Sequence, residues 1–182
     1  MGGRMKTKKI TLLGVLLSLM LILGLIEKQF VLVPGVPGIK PGLSNVVQMY
    51  ALCLLGTRDA LVLLLMKVVL SGLLFAGISG MAYAFCGGVL AFITMWLFLK
   101  TKAFGLPGVS VSGAVMHMLG QILCSRLLLG SWAAAAQLPI LLLSAVITGI
   151  INGVIANLVI GAMNKTKLFA LAGLTDKEEK SK

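Results

Sequence analysis

Six long apolar runs, parted by short stretches in which the basic residues gather, constrain this chain more than any motif does. They cover residues 10–26, 42–56, 60–78, 81–99, 109–130 and 135–163. A helix crossing the hydrocarbon of a bilayer needs about 20 apolar residues. Hydrophobic residues make up 59% of the 182, where a soluble domain holds roughly 45–50%. A soluble fold of this length has no interior large enough for them, so the solvent is lipid. The runs are continuous and do not alternate, which excludes a β-barrel. The expected fold is therefore all-α: a polytopic membrane protein of six transmembrane helices over residues 10–163. A basic segment precedes it (1–9) and a charged tail follows (164–182).

The charges orient that bundle. Sixteen Lys and Arg stand against five acids, a net charge of +11. With the N-terminus in the cytoplasm, that face carries Arg4, Lys6, Lys8, Lys9, Arg58, Lys100, Lys102, Lys165, Lys167, Lys177, Lys180 and Lys182. The opposite face carries Lys28 and Lys40, while Lys67 and Arg126 lie within runs. Twelve against two is the asymmetry of the positive-inside rule, and it predicts both termini in the cytoplasm of a cell whose plasma membrane holds the protein. A soluble protein this basic would point to nucleic acid. Here the charge sits at the ends of apolar runs and points to lipid headgroups instead. Arg4 to Lys9 followed by an apolar run imitates a secretory leader, but Glu27-Lys28-Gln29-Phe30 offers no small-residue cleavage site, so the run is expected to be kept as the first helix.

Polar groups inside the runs are costly there and so mark candidate sites. Asn45 and Gln48 share a face of the short second run, and Lys67 stands in the middle of the third. His117 and Gln121 are four residues apart on the fifth run, hence on one helical face. Asn152 on the sixth stands among Ala145, Thr148, Gly149 and Ala156. These six residues are expected to meet in one interior cavity that contains donors, one cation and no carboxylate. Such a lining suits a small amphipathic, anionic molecule. Lys67 has no acid within a run to pair with, because Glu27 and Asp59 stand at span ends. Lys40 lies on the loop from Lys28 to Pro41, which is rich in Pro and Gly and long enough to cover a site. Arg126 reads as an interfacial anchor.

Several chemistries find no support. Cys53, Cys86 and Cys124 lie singly inside apolar runs and read as small packing residues. His117 has no further ligand at metal spacing. The chain has no phosphate-binding G-x-x-x-x-G-K-[ST] loop, no nucleophile–base pair and no Asp-rich pair to hold Mg²⁺ on a diphosphate. No catalytic residue, metal or cofactor is expected. Small-xxx-small pairs allow helices to approach closely: Gly14 with Ser18, Ala84 with Gly88, and Gly149 with Gly153. Gly14 and Ser18 belong to a helix that is otherwise apolar all round, which makes it the expected docking face for another membrane subunit. Gly77, Gly80 and Gly130 are expected to mark tight turns.

Three stretches carry a family resemblance. Pro37-Gly38-Ile39-Lys40-Pro41-Gly42-Leu43-Ser44-Asn45, then Leu55-Gly56 with Arg58-Asp59-Ala60, then His117-Met118-Leu119-Gly120-Gln121, resemble the Gx transporter family, also labelled heptaprenyl diphosphate synthase component I. The similarity runs over about residues 10–163. Pro41 stands where the family pattern has an aliphatic residue, Met118 where it has Asn, and Lys67 where it has Arg. The family is similar to the substrate-binding (S) components of energy-coupling factor transporters. That likeness implies a six-helix bundle which captures a vitamin, quinone precursor or isoprenoid precursor under a mobile first loop. A separate membrane subunit and ATPases would supply the energy. The synthase label implies the alternative, a non-catalytic accessory subunit of a prenyltransferase.

Overall fold

The computed structural model describes residues 2–29, 42–102, 104–130 and 132–165. Lys40 and most of the first loop lie outside them. Among the described residues there is no strand. The helices are α1 (Gly2–Gln29), α2 (Leu43–Leu54), α3 (Thr57–Ser71), α4 (Gly77–Thr101), α5 (Leu106–Leu129) and α6 (Leu138–Lys165). A π turn (Gly72–Ala76) joins α3 to α4, and a 3-10 turn (Ala133–Gln137) leads into α6.

Four segments are long and apolar enough to cross a membrane: Lys9–Glu27, Thr57–Thr101, Leu106–Leu129 and Ala135–Ala162. The second is 45 residues long. As one straight helix it would measure about 68 Å at 1.5 Å per residue, more than twice a hydrocarbon core of roughly 30 Å. It folds back instead. Gly77 takes φ 70° and ψ 176°, a conformation closed to residues with a Cβ, and α4 returns alongside α3. A Cβ placed on Gly88 would lie 2.9 Å from Leu64 Cδ1, and one on Gly72 2.7 Å from Met81 Cβ, which is antiparallel packing. The third apolar run, expected to continue to Ile78, therefore stops as a helix at Ser71, and Ile78 belongs to α4. Gly80, expected at a turn, is helical as well; it sits in the first turn of α4 against Ala76. Gly130 does end its helix, with φ 65°.

Helix α4 packs along α5 and α5 along α6, while α1 and α2 pack on α3 and α2 closes against α6. The main apolar core lies among α1 to α4, around Met20, Met49 and Leu63, and includes Val109 of α5. A smaller core joins Met118 and Ile122 of α5 to Leu141 and Ala145 of α6. Outward faces are apolar too. Leu73, Ile78, Leu127, Leu143 and Leu158 are each more than 60% exposed, the reverse of a water-facing surface. One ion pair fixes an end of the bundle: Lys9 Nζ lies 2.7 Å from Asp59 Oδ2 and ties the start of α1 to the start of α3.

Candidate functional site

The glycines of α4, α5 and α6 draw three helices together on one side of the molecule. A Cβ on Gly120 would lie 2.7 Å from Cys86 O and 2.8 Å from Gly87 Cα; one on Gly149 would lie 2.7 Å from Val111 Cα. Gly153 meets the backbone of Pro107 still more closely. Of the small-residue pairs, Gly88, Gly149 and Gly153 thus serve contacts within the chain. Gly14 and Ser18 are exposed, with nothing within 4 Å of a Cβ on Gly14, and Ser18 Oγ donates to Gly14 O at 2.9 Å.

Between that seam and the α1–α2–α3 group lies a cavity of about 680 Å³. Asn45, Lys67, His117, Gln121 and Asn152 all line it. Gln121 Nε2 donates to His117 Nε2 at 3.2 Å, one helical turn apart. The imidazole lies against Gly87, whose added Cβ would come within 2.9 Å of His117 Cε1, so the glycine gives the ring its place. Asn152, 3% exposed, and Asn45 converge on Gly42: their Nδ2 atoms would be 2.9 and 3.6 Å from a Cβ there. Gly42 has φ 72°, so both its conformation and its surroundings require the missing side chain. Gln48 takes another position. It is buried and donates from Nε2 to Ala60 O at 2.7 Å, pinning α2 to α3, and it is not part of the described cavity wall.

The expectation of a chamber without a carboxylate is overturned by Glu27. This residue, at the end of α1, is only 5% exposed and lines the cavity. Its Oε1 accepts the Ser44 backbone N–H at 2.7 Å. Ser44 stands in the first turn of α2, where unpaired N–H groups and the helix dipole favour a negative charge. Lys67 Nζ donates to Ser44 Oγ at 2.9 Å. The cation expected to stand without an acid therefore shares Ser44 with one. Sequence distance hid this: Glu27 and Ser44 are 17 residues apart, and Ser44 and Lys67 are 23 apart. The one available signal was that Glu27 is the sole acid before Asp59.

Other walls come from residues that the sequence did not mark as site candidates. Ser71, Phe75 and Ala76 descend from the end of α3 and the π turn, a geometry often found at functional sites. Tyr83 and Gly80 come from α4, Ser125 and Leu129 from α5, and Gln137, Leu141 and Thr148 from the last connection and α6. The lining is apolar over most of its area with polar groups at a few points, as small-molecule sites are. Arg126 stacks near Trp132, its guanidinium carbon 5.6 Å from a ring centroid. Cys53, Cys86 and Cys124 are free thiols. Among the described residues no three His, Cys, Asp or Glu come together as a metal site.

An all-α bundle with apolar outer faces and helices long and apolar enough to cross a membrane defines a polytopic membrane protein, here with an amphipathic interior cavity. The model of one family, heptaprenyl diphosphate synthase component I, matches residues 16–159, and the chain belongs to that family. No curated protein and no solved structure is similar enough to the chain to count as a match. As a component I, the family implies a further subunit beside it.

Proposed function

We propose that this protein is a membrane-embedded substrate-binding component of the S type, which captures a small amphipathic or anionic compound for uptake. The ligand class is a vitamin, or a quinone or isoprenoid precursor, and the energy comes from a separate membrane subunit with ATPases. The observation that carries this reading is the 680 Å³ cavity whose polar points include Asn45, Lys67, His117, Gln121 and Asn152. In this reading Lys40 adds a contact from the first loop, and Gln48 holds α2 in place behind the wall. Six crossings follow when the short α2 is counted as a span beside α1, α3, α4, α5 and α6, over a membrane domain of residues 10–163. The Lys9–Asp59 pair supports setting Arg58 and the N-terminal basic segment (1–9) on one side. The positive-inside rule then makes that side cytoplasmic, together with the tail (164–182), in the plasma membrane. Gly14 and Ser18 present the face for the energising subunit.

Native mass spectrometry of the purified full chain tests the reading through a co-purified small molecule. Thermal stabilisation by that molecule should be lost in Lys67→Ala and Asn152→Ala. If no vitamin, quinone precursor or isoprenoid binds and both variants support normal uptake, the reading fails.

A second reading rests on the family description itself: a non-catalytic accessory subunit of a heptaprenyl diphosphate synthase. Deletion of the gene should then abolish long-chain prenyl diphosphate formation in cell extract. Unchanged product length and yield would remove it.

A further inference from the structure

The geometry points to Gly24 as a specificity-determining position: the side chain it lacks leaves a notch in the cavity wall that seats a branch or ring on the apolar body of the ligand. This rests on the binding role proposed above and narrows the ligand class to amphiphiles whose apolar part is branched or cyclic.

A glycine inside a helix destabilises it relative to alanine, because the unfolded chain has more freedom to lose. Two common reasons for keeping one do not apply to Gly24. It lies within α1 and is not among the glycines with positive φ. Close helix packing does not require it either: among the described residues no atom lies within 4 Å of a Cβ built there. At Gly87, Gly120 and Gly149, by contrast, a ring or a neighbouring backbone occupies that space. Gly14 is as open as Gly24, but it is exposed on the outer face, whereas Gly24 is half-buried and lines the cavity. Met20, Gly24 and Glu27 follow one face of α1 at helical spacing. Met20 is fully buried and Glu27 is 5% exposed, so a face turned inward above and below opens between them onto the cavity. The wall beside the notch is apolar at Met20 and Leu21, and Ala76, Ala84 and Ala114 add small side chains to other walls. A straight alkyl chain lying there leaves the notch void, and atoms that face a void lose their dispersion contacts. A methyl branch or the edge of a ring fills the notch and gains them.

The test is a matched pair of probes on the full chain in lipid nanodiscs: farnesol and dodecanol, alcohols with main chains of equal length, of which farnesol is methyl-branched and dodecanol is not. The wild type should prefer farnesol. Gly24→Leu fills the notch and should reduce that preference by about tenfold or more, with Gly24→Ala intermediate. The Tm of Gly24→Ala should equal or exceed that of the wild type, since a methyl group has room and alanine favours the helix. A lower Tm in Gly24→Ala would mean that another part of the chain already packs into the notch, and it overturns the proposal. A wild type without preference for farnesol, or a ratio unmoved in Gly24→Leu, also overturns it while leaving a binding role intact. If neither probe binds the wild type, the amphiphile-binding reading falls and the notch with it.

Discussion

The two sides of the cavity are built on opposite principles. On one side α4, α5 and α6 meet through glycines, with backbone close to backbone at Gly120, Gly149 and Gly153. Lipid gives little hydrophobic drive between helices, so close van der Waals contact is what holds this seam, and it leaves no slack. On the other side α1, α2 and α3 share the main apolar core, and polar contacts tie them as well: Glu27 to Ser44, Lys67 to Ser44, and Gln48 to Ala60. Hydrogen bonds made by side chains allow exchange of partners in a way that a glycine seam does not. The seam is the close-packed wall against which His117 sits; in the binding role proposed above, the polar side is where a ligand would substitute for an internal bond.

Substitutions break this contrast in graded steps. Gly120→Leu should have the largest effect, because its Cβ would enter the Cys86 and Gly87 backbone, which cannot swing aside. Overpacking of this kind costs about 3 kcal/mol or more, read as loss of monodisperse protein or a large fall in Tm. Glu27→Ala comes next: it leaves the buried Ser44 N–H without the carboxylate that accepts it, a loss of about 2 kcal/mol. Glu27→Gln should recover most of that in the same thermal assay. Should Glu27→Ala match the wild type, the polar side would not depend on this tie. Gln48→Leu removes one buried hydrogen bond to Ala60 O and should lower stability by about 1 kcal/mol, with ligand affinity changed little since the side chain stands behind the cavity wall. Lys9→Ala breaks an ion pair whose lysine is half exposed and should cost roughly 0.5 kcal/mol, less at high salt. Smallest in stability is Gly14→Leu, within about 0.5 kcal/mol, because nothing lies within 4 Å of the new Cβ. Loss of uptake or of co-purifying subunits in this last variant, at unchanged Tm, is the outcome expected of a docking face.

The candidate site was partly legible before the fold was known. Asn45, Lys67, His117, Gln121 and Asn152 stand out because a polar group in an apolar run demands a reason, and all five line one cavity. Glu27 escaped the same reasoning. Its place at the end of a run made it look solvated, and only the return of α2 against α1 buries it. Gln48 stands elsewhere: its Nε2 donates to Ala60 O on a neighbouring helix, and the side chain is not among those that line the described cavity. The start of α2 after Pro41-Gly42 and the end of α4 near Lys100 were read closely, whereas α1 begins at Gly2 and takes in the basic segment placed before the first run. The boundary between α3 and α4 was misread, since the turn there depends on the conformation of Gly77 inside unbroken apolar sequence.

Hydropathy is a property of a line of residues, and it sufficed to mark this chain as helical and apolar enough to live in lipid. Which helical faces meet is a property of three dimensions. The fold alone decided that a carboxylate enters the chamber and shares a serine with Lys67, since that meeting depends on how closely glycine lets neighbouring helices approach and on where the chain turns back.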